Sequence, residues 1–167
     1  MTADGGASPR FGDAALAEYR EILTRYPTRR AALMPTLWLA QREFGWLSEP
    51  VMEYVAELME LPLAWVTSCA SFYTMYWKKR PARWHLQVCR SLSCQLRGSQ
   101  RLLDAINETL GIRDGEQTAD GRFGLEEVEC LASCGTAPVM QLNNGDYHEN
   151  LTVEAALALI DKLRREG

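Results

Sequence analysis

The chain has 167 residues, 47% apolar and 24% charged, which suits one medium globular domain or a small helical piece joined to a second compact domain. Its net charge of −4 argues against nucleic-acid binding, and no apolar run approaches the roughly 18 residues needed to span a bilayer. The opening MTADGGASPR lacks a basic segment followed by an apolar stretch, so no export signal is expected and a reducing cytoplasm is the expected compartment.

The acidity is uneven. Residues 1–80 hold nine Lys/Arg and nine Asp/Glu, whereas residues 81–167 hold nine and thirteen. The second half therefore carries the whole imbalance. It suits docking to a basic face, although mild acidity also serves solubility alone.

Residues 1–12 are aperiodic, contain Gly, Ser and Pro, and read as a flexible tail. Residues 13–80 read as a helical bundle. Asp13 is placed to cap a first helix with Leu16, Tyr19, Leu23 and Tyr26 on one face, stopped by Pro27. A second helix carries Leu33, Leu37 and Phe44 and ends at Gly45, its regular part starting near Pro35. Ser48 is placed to cap a third helix with Met52, Val55, Ala56 and Met59 at core spacing, broken by Pro62. A short fourth helix follows over about 64–72.

Residues 81–167 change character. Residues 84–88 alternate like a strand that leads into Cys89. Residues 99–110 form an amphipathic helix with Leu102, Leu103, Ile106 and Leu110 apolar, closed by Gly111. The stretch 111–124 reads as a surface loop. Strands are expected over 123–128 and 139–142, then a turn at Asn144–Gly145 and a short strand around Tyr147. Thr152 is placed to cap a last helix with Ala156, Leu157 and Ile160 apolar and Lys/Arg at its end. The order β-α-β-β-β-α is a thioredoxin-type arrangement. The expected fold class is α+β: a helical bundle over 13–80 and a thioredoxin-like α/β domain over 81–167.

Four of the five cysteines form two close pairs, Cys89-x4-Cys94 and Cys130-x3-Cys134. Both pairs fall just past the ends of expected strands, so one sheet can bring them together. Four thiolates bind zinc or an iron–sulfur cluster. Structural zinc sites commonly use tighter C-x2-C pairs, whereas C-x4-C recurs in [2Fe–2S] ferredoxins. The spacing therefore favours one [2Fe–2S] cluster, with Cys89 and Cys94 on one iron and Cys130 and Cys134 on the other. Ser91, Ser93, Ala132, Ser133 and Gly135 are small enough to let backbone N–H groups approach the sulfurs, though a tight turn would use them too. A zinc-stabilised adaptor without a redox role is the alternative of another class.

Cys69 has no partner at ligand spacing and reads as a small buried hydrophobe. His85 and His148 are conceivable ligands in a mixed cage, but neither lies within a cysteine pair. The aromatic run Tyr73, Tyr76, Trp77 and Trp84 reads as core or subunit contact. Residues 78–80 (KKR) read as a solvated loop. There is no Gly-rich phosphate loop after a strand and no Ser/His/Asp pattern. No catalytic residue is expected, and NAD and flavin are not expected on this chain. It reads as an electron carrier that depends on a partner for the chemistry.

The chain also resembles the small iron–sulfur subunit of NADH:quinone oxidoreductase, the E component of bacterial complex I and flavoprotein 2 of the mitochondrial enzyme. The resemblance runs from about Asp13 to the C-terminus. It rests on residues 45–48 (GWLS), 70–75 (ASFYTM), 88–94 (VCRSLSC) with Arg97 and Gly98, 127–138 (EVECLASCGTAP) and 147–152 (YHENLT). Cys69 stands where the resemblance leads one to expect an aliphatic residue. The resemblance implies Cys89, Cys94, Cys130 and Cys134 as cluster ligands. It also implies an NADH- and FMN-binding partner subunit, further iron–sulfur subunits, and a peripheral place on the cytoplasmic face of the inner membrane. Similar subunits serve NAD-dependent formate dehydrogenases and NAD-reducing hydrogenases, which stay open as alternatives.

Overall fold

The computed structural model describes residues 8–166. The chain divides into two compact units, the first ending at Arg80 and the second beginning at Pro81.

The first unit is helical. Helices α1 (Asp13–Thr24), α2 (Leu33–Phe44), α3 (Glu49–Met59) and α4 (Leu63–Phe72) are joined by short links, with a single 3-10 turn (Arg30–Ala32) before α2. Helix α2 packs against the other three. Its Leu37 and Leu39 are buried with Leu47, Val51, Val55, Met59 and Val66, so most of the unit's stability comes from joining amphipathic faces. Gly45, at φ +84°, ends α2 in the left-handed conformation that favours glycine.

Several local details differ from the sequence expectations. Asp13 is the first helical residue and Gly12 takes the cap position, so the carboxylate favours the helix by its charge rather than as a cap. Ser48 does precede α3, but its side chain makes no capping bond. Pro35 falls inside the first turn of α2, where its missing N–H would have no helical partner anyway. Residues 1–7 of the expected tail lie outside the described residues. Phe11, from the same stretch, is buried; it stacks on Phe44 at 5.6 Å and its N–H donates to Tyr54 Oη at 3.0 Å.

The segment after α4 is pinned to α2 from both sides. Buried Gln41 donates from Nε2 to the Met75 carbonyl at 2.9 Å and accepts from the Trp77 N–H at 2.7 Å. Tyr76 Oη donates in return to the Met34 carbonyl at 2.9 Å. Of the aromatic run, Tyr76 is buried, in contact with Trp38 and Tyr73. Lys78, expected in a solvated loop, reaches the Ala70 carbonyl with Nζ at 3.4 Å.

The second unit is built on strands β1 (Trp84–Cys89), β2 (Phe123–Val128), β3 (Met140–Leu142) and β4 (Asp146–His148), in the sheet order β2-β1-β3-β4. β1 pairs parallel with β2 and antiparallel with β3, and β3 pairs antiparallel with β4. Two helices, not one, lie between β1 and β2: the short α5 (Leu92–Leu96) and then α6 (Ser99–Leu110). Helices α6 and α7 (Val153–Arg165) pack together. Their Leu102, Ile106, Ala156 and Ile160 share a buried cluster with Leu86, Val88, Leu125 and Met140 of the sheet. Thr152 caps α7 as expected, accepting from the Ala155 N–H at 3.2 Å. The hairpin turn is one residue earlier than expected. Asn143 and Asn144 are the left-handed pair, at φ +53° and +56°, and the Gly145 N–H closes onto the Leu142 carbonyl at 2.9 Å. Within the expected loop 111–124, Ile112 is buried and Gln117 forms an isolated bridge to Gly124.

Candidate functional site

Parallel pairing delivers both cysteine segments to one end of the sheet. Cys89 is the last residue of β1 and lies opposite Val128, the last residue of β2. Cys130 follows two residues later. The Arg90 N–H bonds the Val128 carbonyl at 2.9 Å and the Cys89 N–H bonds the Val139 carbonyl at 3.1 Å, so the exit of β1 is held from both sides. Cys94 sits in α5, and Cys134 opens a 3-10 turn (Cys134–Thr136) against which α5 packs. Cys89 and Cys94 share an apolar pocket with Leu131, Ala137 and Val139.

The four thiols are not equivalent. Cys89 and Cys94 are 2% and 1% exposed, whereas Cys130 and Cys134 are exposed. Burial alone would push the Cys89 thiol up. The N–H and hydroxyl of Ser91, the N–H of Leu131 and the Cys94 thiol outweigh it and hold Cys89 below the usual thiol range. Burial pushes Cys94 up to about 11; its bond to Cys89 adds to this, the Val139 N–H opposes it, and the neighbouring Cys134 raises it further. Within the inner pair Cys89 is thus the more acidic thiol, and the Cys94 S–H donates a hydrogen bond toward it. In the outer pair, Cys130 Sγ accepts from the Ala132 N–H at 3.2 Å. Ala132 reaches this position at φ +59°, a left-handed conformation that costs a non-glycine residue about 1–2 kcal/mol.

Polar contacts brace the outer loop. Glu149 accepts from the Ser133 hydroxyl and, at 2.6 Å, from the Thr136 hydroxyl. These two bonds hold its carboxyl below the ordinary range. The Asn150 N–H bonds the Thr136 carbonyl at 2.6 Å and the Leu151 N–H bonds the Pro138 carbonyl at 3.0 Å. Arg90 and Glu129 form an ion pair beside the strand ends.

The donor chemistry fits a [2Fe–2S] group: thiols with backbone N–H groups aimed at their sulfurs, in an apolar wall. Among the described residues, no three Cys, His, Asp or Glu side chains crowd around one ion position. A dinuclear core asks for something else, two thiolates at each end. Of the small residues singled out in the sequence, Ser91 and Ala132 do offer donors to sulfur, whereas Ser133 turns to Glu149. The donors from Leu131 and Val139 had no sequence signal, because main-chain groups carry none. The Ala137–Pro138 peptide is cis.

The other candidates lie elsewhere. Cys69 is half-buried in α4, and burial pushes its thiol up. His85, in β1, has Nε2 2.9 Å from Glu126 Oε2, and His148 is in β4.

Comparison with known proteins agrees with this geometry. A family model described as thioredoxin-like [2Fe–2S] ferredoxin matches residues 19–164. A Rhizobium meliloti (strain 1021) relative, named as an E-type subunit of NADH-quinone oxidoreductase, is 46% identical over 147 residues, covering 88% of this chain and 87% of the relative. NADH-quinone oxidoreductase subunit 2 of Thermus thermophilus is 44% identical over 146 residues, covering 86% of this chain and 81% of the relative. Among solved structures, an air-oxidised NAD+-reducing [NiFe]-hydrogenase matches with a TM-score of 0.68 at 22% identity. That match covers 83% of this chain and 23% of the hydrogenase chain, and the likeness is one of fold.

Proposed function

Because the chain belongs to the thioredoxin-like [2Fe–2S] ferredoxin family, we propose that it is the electron-transfer subunit of an NADH:quinone oxidoreductase, holding one [2Fe–2S] cluster on Cys89, Cys94, Cys130 and Cys134. The observation that supports this most is the delivery of both cysteine pairs to one end of the parallel β1–β2 pair. The names of the relatives at 44–46% identity support the choice of parent complex. In this reading the NADH- and FMN-binding site is on a partner subunit, with further iron–sulfur subunits beyond it. The complex is peripheral to the membrane, on the cytoplasmic side. No helix among the described residues is long and apolar enough to cross a bilayer.

What the bound cluster supplies is reversible storage of one electron. The chain's own residues do the rest. The strand ends fix the thiolates. The N–H groups of Ser91, Leu131, Val139 and Ala132 offset negative charge on sulfur. Leu131, Ala137 and Val139 keep water from the inner pair.

Anaerobic purification with iron, sulfide and zinc analysis, and an EPR spectrum after dithionite, tests the proposal. About two irons and two sulfides with a spin-half signal are expected. Cys→Ser at each of the four positions should abolish or alter that signal, and Cys69→Ala should leave it intact. Zinc without sulfide would replace electron transfer with a structural adaptor.

A further inference from the structure

The two cysteine pairs are held by different means. Cys89 and Cys94 are fixed by burial in their apolar pocket. Cys130 and Cys134 are exposed, and between Cys130 and Thr136 only Leu131 is buried. Packing therefore does little to fix the outer loop, and its order depends on hydrogen bonds.

Those bonds come from one short segment. Residues 149–151 lie between β4 and the Thr152 cap of α7. The Asn150 and Leu151 N–H groups bond the Thr136 and Pro138 carbonyls. The Glu149 side chain takes the Ser133 and Thr136 hydroxyls on a single oxygen, Oε1. A carboxylate only accepts, and each hydroxyl has one proton to give, so Glu149 draws both protons and the two hydroxyl oxygens meet at 2.7 Å. Ser133 precedes the 3-10 turn that Cys134 opens, and Thr136 ends it. Both anchors of the turn thus converge on one side chain. Among the described residues no other carboxylate reaches either hydroxyl. The segment itself leads into a well-held helix. Ala156 and Ile160 of α7 are in the core under the sheet, and at the far end Arg122 donates to the Leu163 and Arg164 carbonyls at 3.4 and 2.6 Å.

We propose that Glu149 is a positioning residue for the outer ligand pair, gathering Ser133 and Thr136 on one carboxylate oxygen so that Cys134 is presented to the cluster in one orientation. The inference rests on the electron-transfer reading, since it names what keeps that same site in register. Glu149 acts through the two hydroxyls and not on a sulfur. What the loop requires of it is an acceptor oxygen at a fixed reach rather than a charge.

The test uses the full chain loaded with iron and sulfide. Glu149→Ala, Glu149→Gln and the pair Ser133→Ala/Thr136→Val are compared with Asp146→Asn, which removes a charge from nearby β4. The readouts are the rate of cluster loss to an iron chelator, the EPR g values after reduction, and the urea midpoint. Glu149→Ala should lose its cluster about tenfold faster, the low end of the range for groups that orient metal ligands, and should shift the g values. Glu149→Gln keeps an acceptor oxygen at the same reach and should restore both. The hydroxyl pair should match Glu149→Ala, and combining the two should add nothing further. Asp146→Asn should behave as wild type. Should Glu149→Ala hold no cluster long enough to measure, Glu149→Asp, charged but one methylene shorter, should still lose its cluster faster than wild type. A wild-type loss rate and g values in Glu149→Ala would overturn the proposal. So would a Gln variant as impaired as the Ala variant, which would make charge the operative property, or faster cluster loss with unshifted g values and a lowered urea midpoint, which would make the role one of general stability. Wild-type protein with zinc and no sulfide would overturn the electron-transfer reading instead, and the same chelator assay, read as zinc release, would still decide whether Glu149 positions Cys134.

Discussion

If Cys89 holds the cluster as proposed, Ser91 is a clean probe of how the chain sets the cluster's potential. Its Oγ lies 3.5 Å from Cys89 Sγ, and as a thiolate that sulfur can only accept. Ser91 also occupies the N-cap position of α5, yet its side chain makes no capping bond, so Ser91→Ala removes the sulfur contact without removing a cap. A hydrogen bond to a charged group contributes about 1.5–3 kcal/mol. Only the part that grows when the sulfurs gain negative charge affects the potential. Taking that part as about a third gives about 0.5–1 kcal/mol. With about 59 mV per tenfold for a one-electron couple, this lowers the potential by about 20–45 mV. An EPR-monitored redox titration of wild type, Ser91→Ala and Ser93→Ala measures it. Ser93 is the control, because its hydroxyl makes no hydrogen bond among the described residues. A potential unchanged or raised in Ser91→Ala, or an equal drop in Ser93→Ala, would refute the reasoning.

Other consequences concern stability. Gln41→Leu keeps the buried volume but removes both bonds to the segment 75–77, and should destabilise the chain by about 2–4 kcal/mol in urea unfolding. Thr152→Ala removes the α7 cap and should cost about 1 kcal/mol by the same assay. Burial raises the Tyr76 and Tyr19 phenols above their ordinary values. A raised phenol favours the neutral folded state, so its contribution is full below the unfolded value of about 10 and is lost as pH rises through the folded value. The phenols' contribution should be flat in pH up to about 10, fall by at most about 1.4 kcal/mol per pH unit for each phenol between the unfolded and folded values, and level off beyond the folded value. Tyr76→Phe should be less stable at neutral pH, having lost its bond to Met34, and show a shallower alkaline fall.

The long elements were legible because their periodicity is strong: residues 99–110 and 153–165 show amphipathic stripes with caps or stops at their ends. Helix α5 was not legible. Five residues hold too little of a helical period, and its two outward leucines mimic no core face. The hairpin slipped by one residue because Asn143 and Asn144 both tolerate left-handed φ, leaving Gly145 outside the central pair. Phe11 was hidden by its polar neighbours; only the aromatic pocket of Phe44 and Tyr54 explains its burial. At the site, cysteine spacing singled out the four thiols and their strand-end placement. The inequality of inner and outer pairs was not readable, because it depends on which loop covers which sulfur.

That inequality bears on how the site is filled and how it is damaged. As free thiols, Cys130 and Cys134 face solvent while Cys89 and Cys94 are already sealed by Leu131 and Val139. An alkylating reagent should therefore mark the outer two first, and peroxide should begin its oxidation ladder there. If the four thiols hold the cluster as proposed, a donor protein handing over iron and sulfide would meet the same two sulfurs first, and maturation would run from capture at the loop to closure against the sheet.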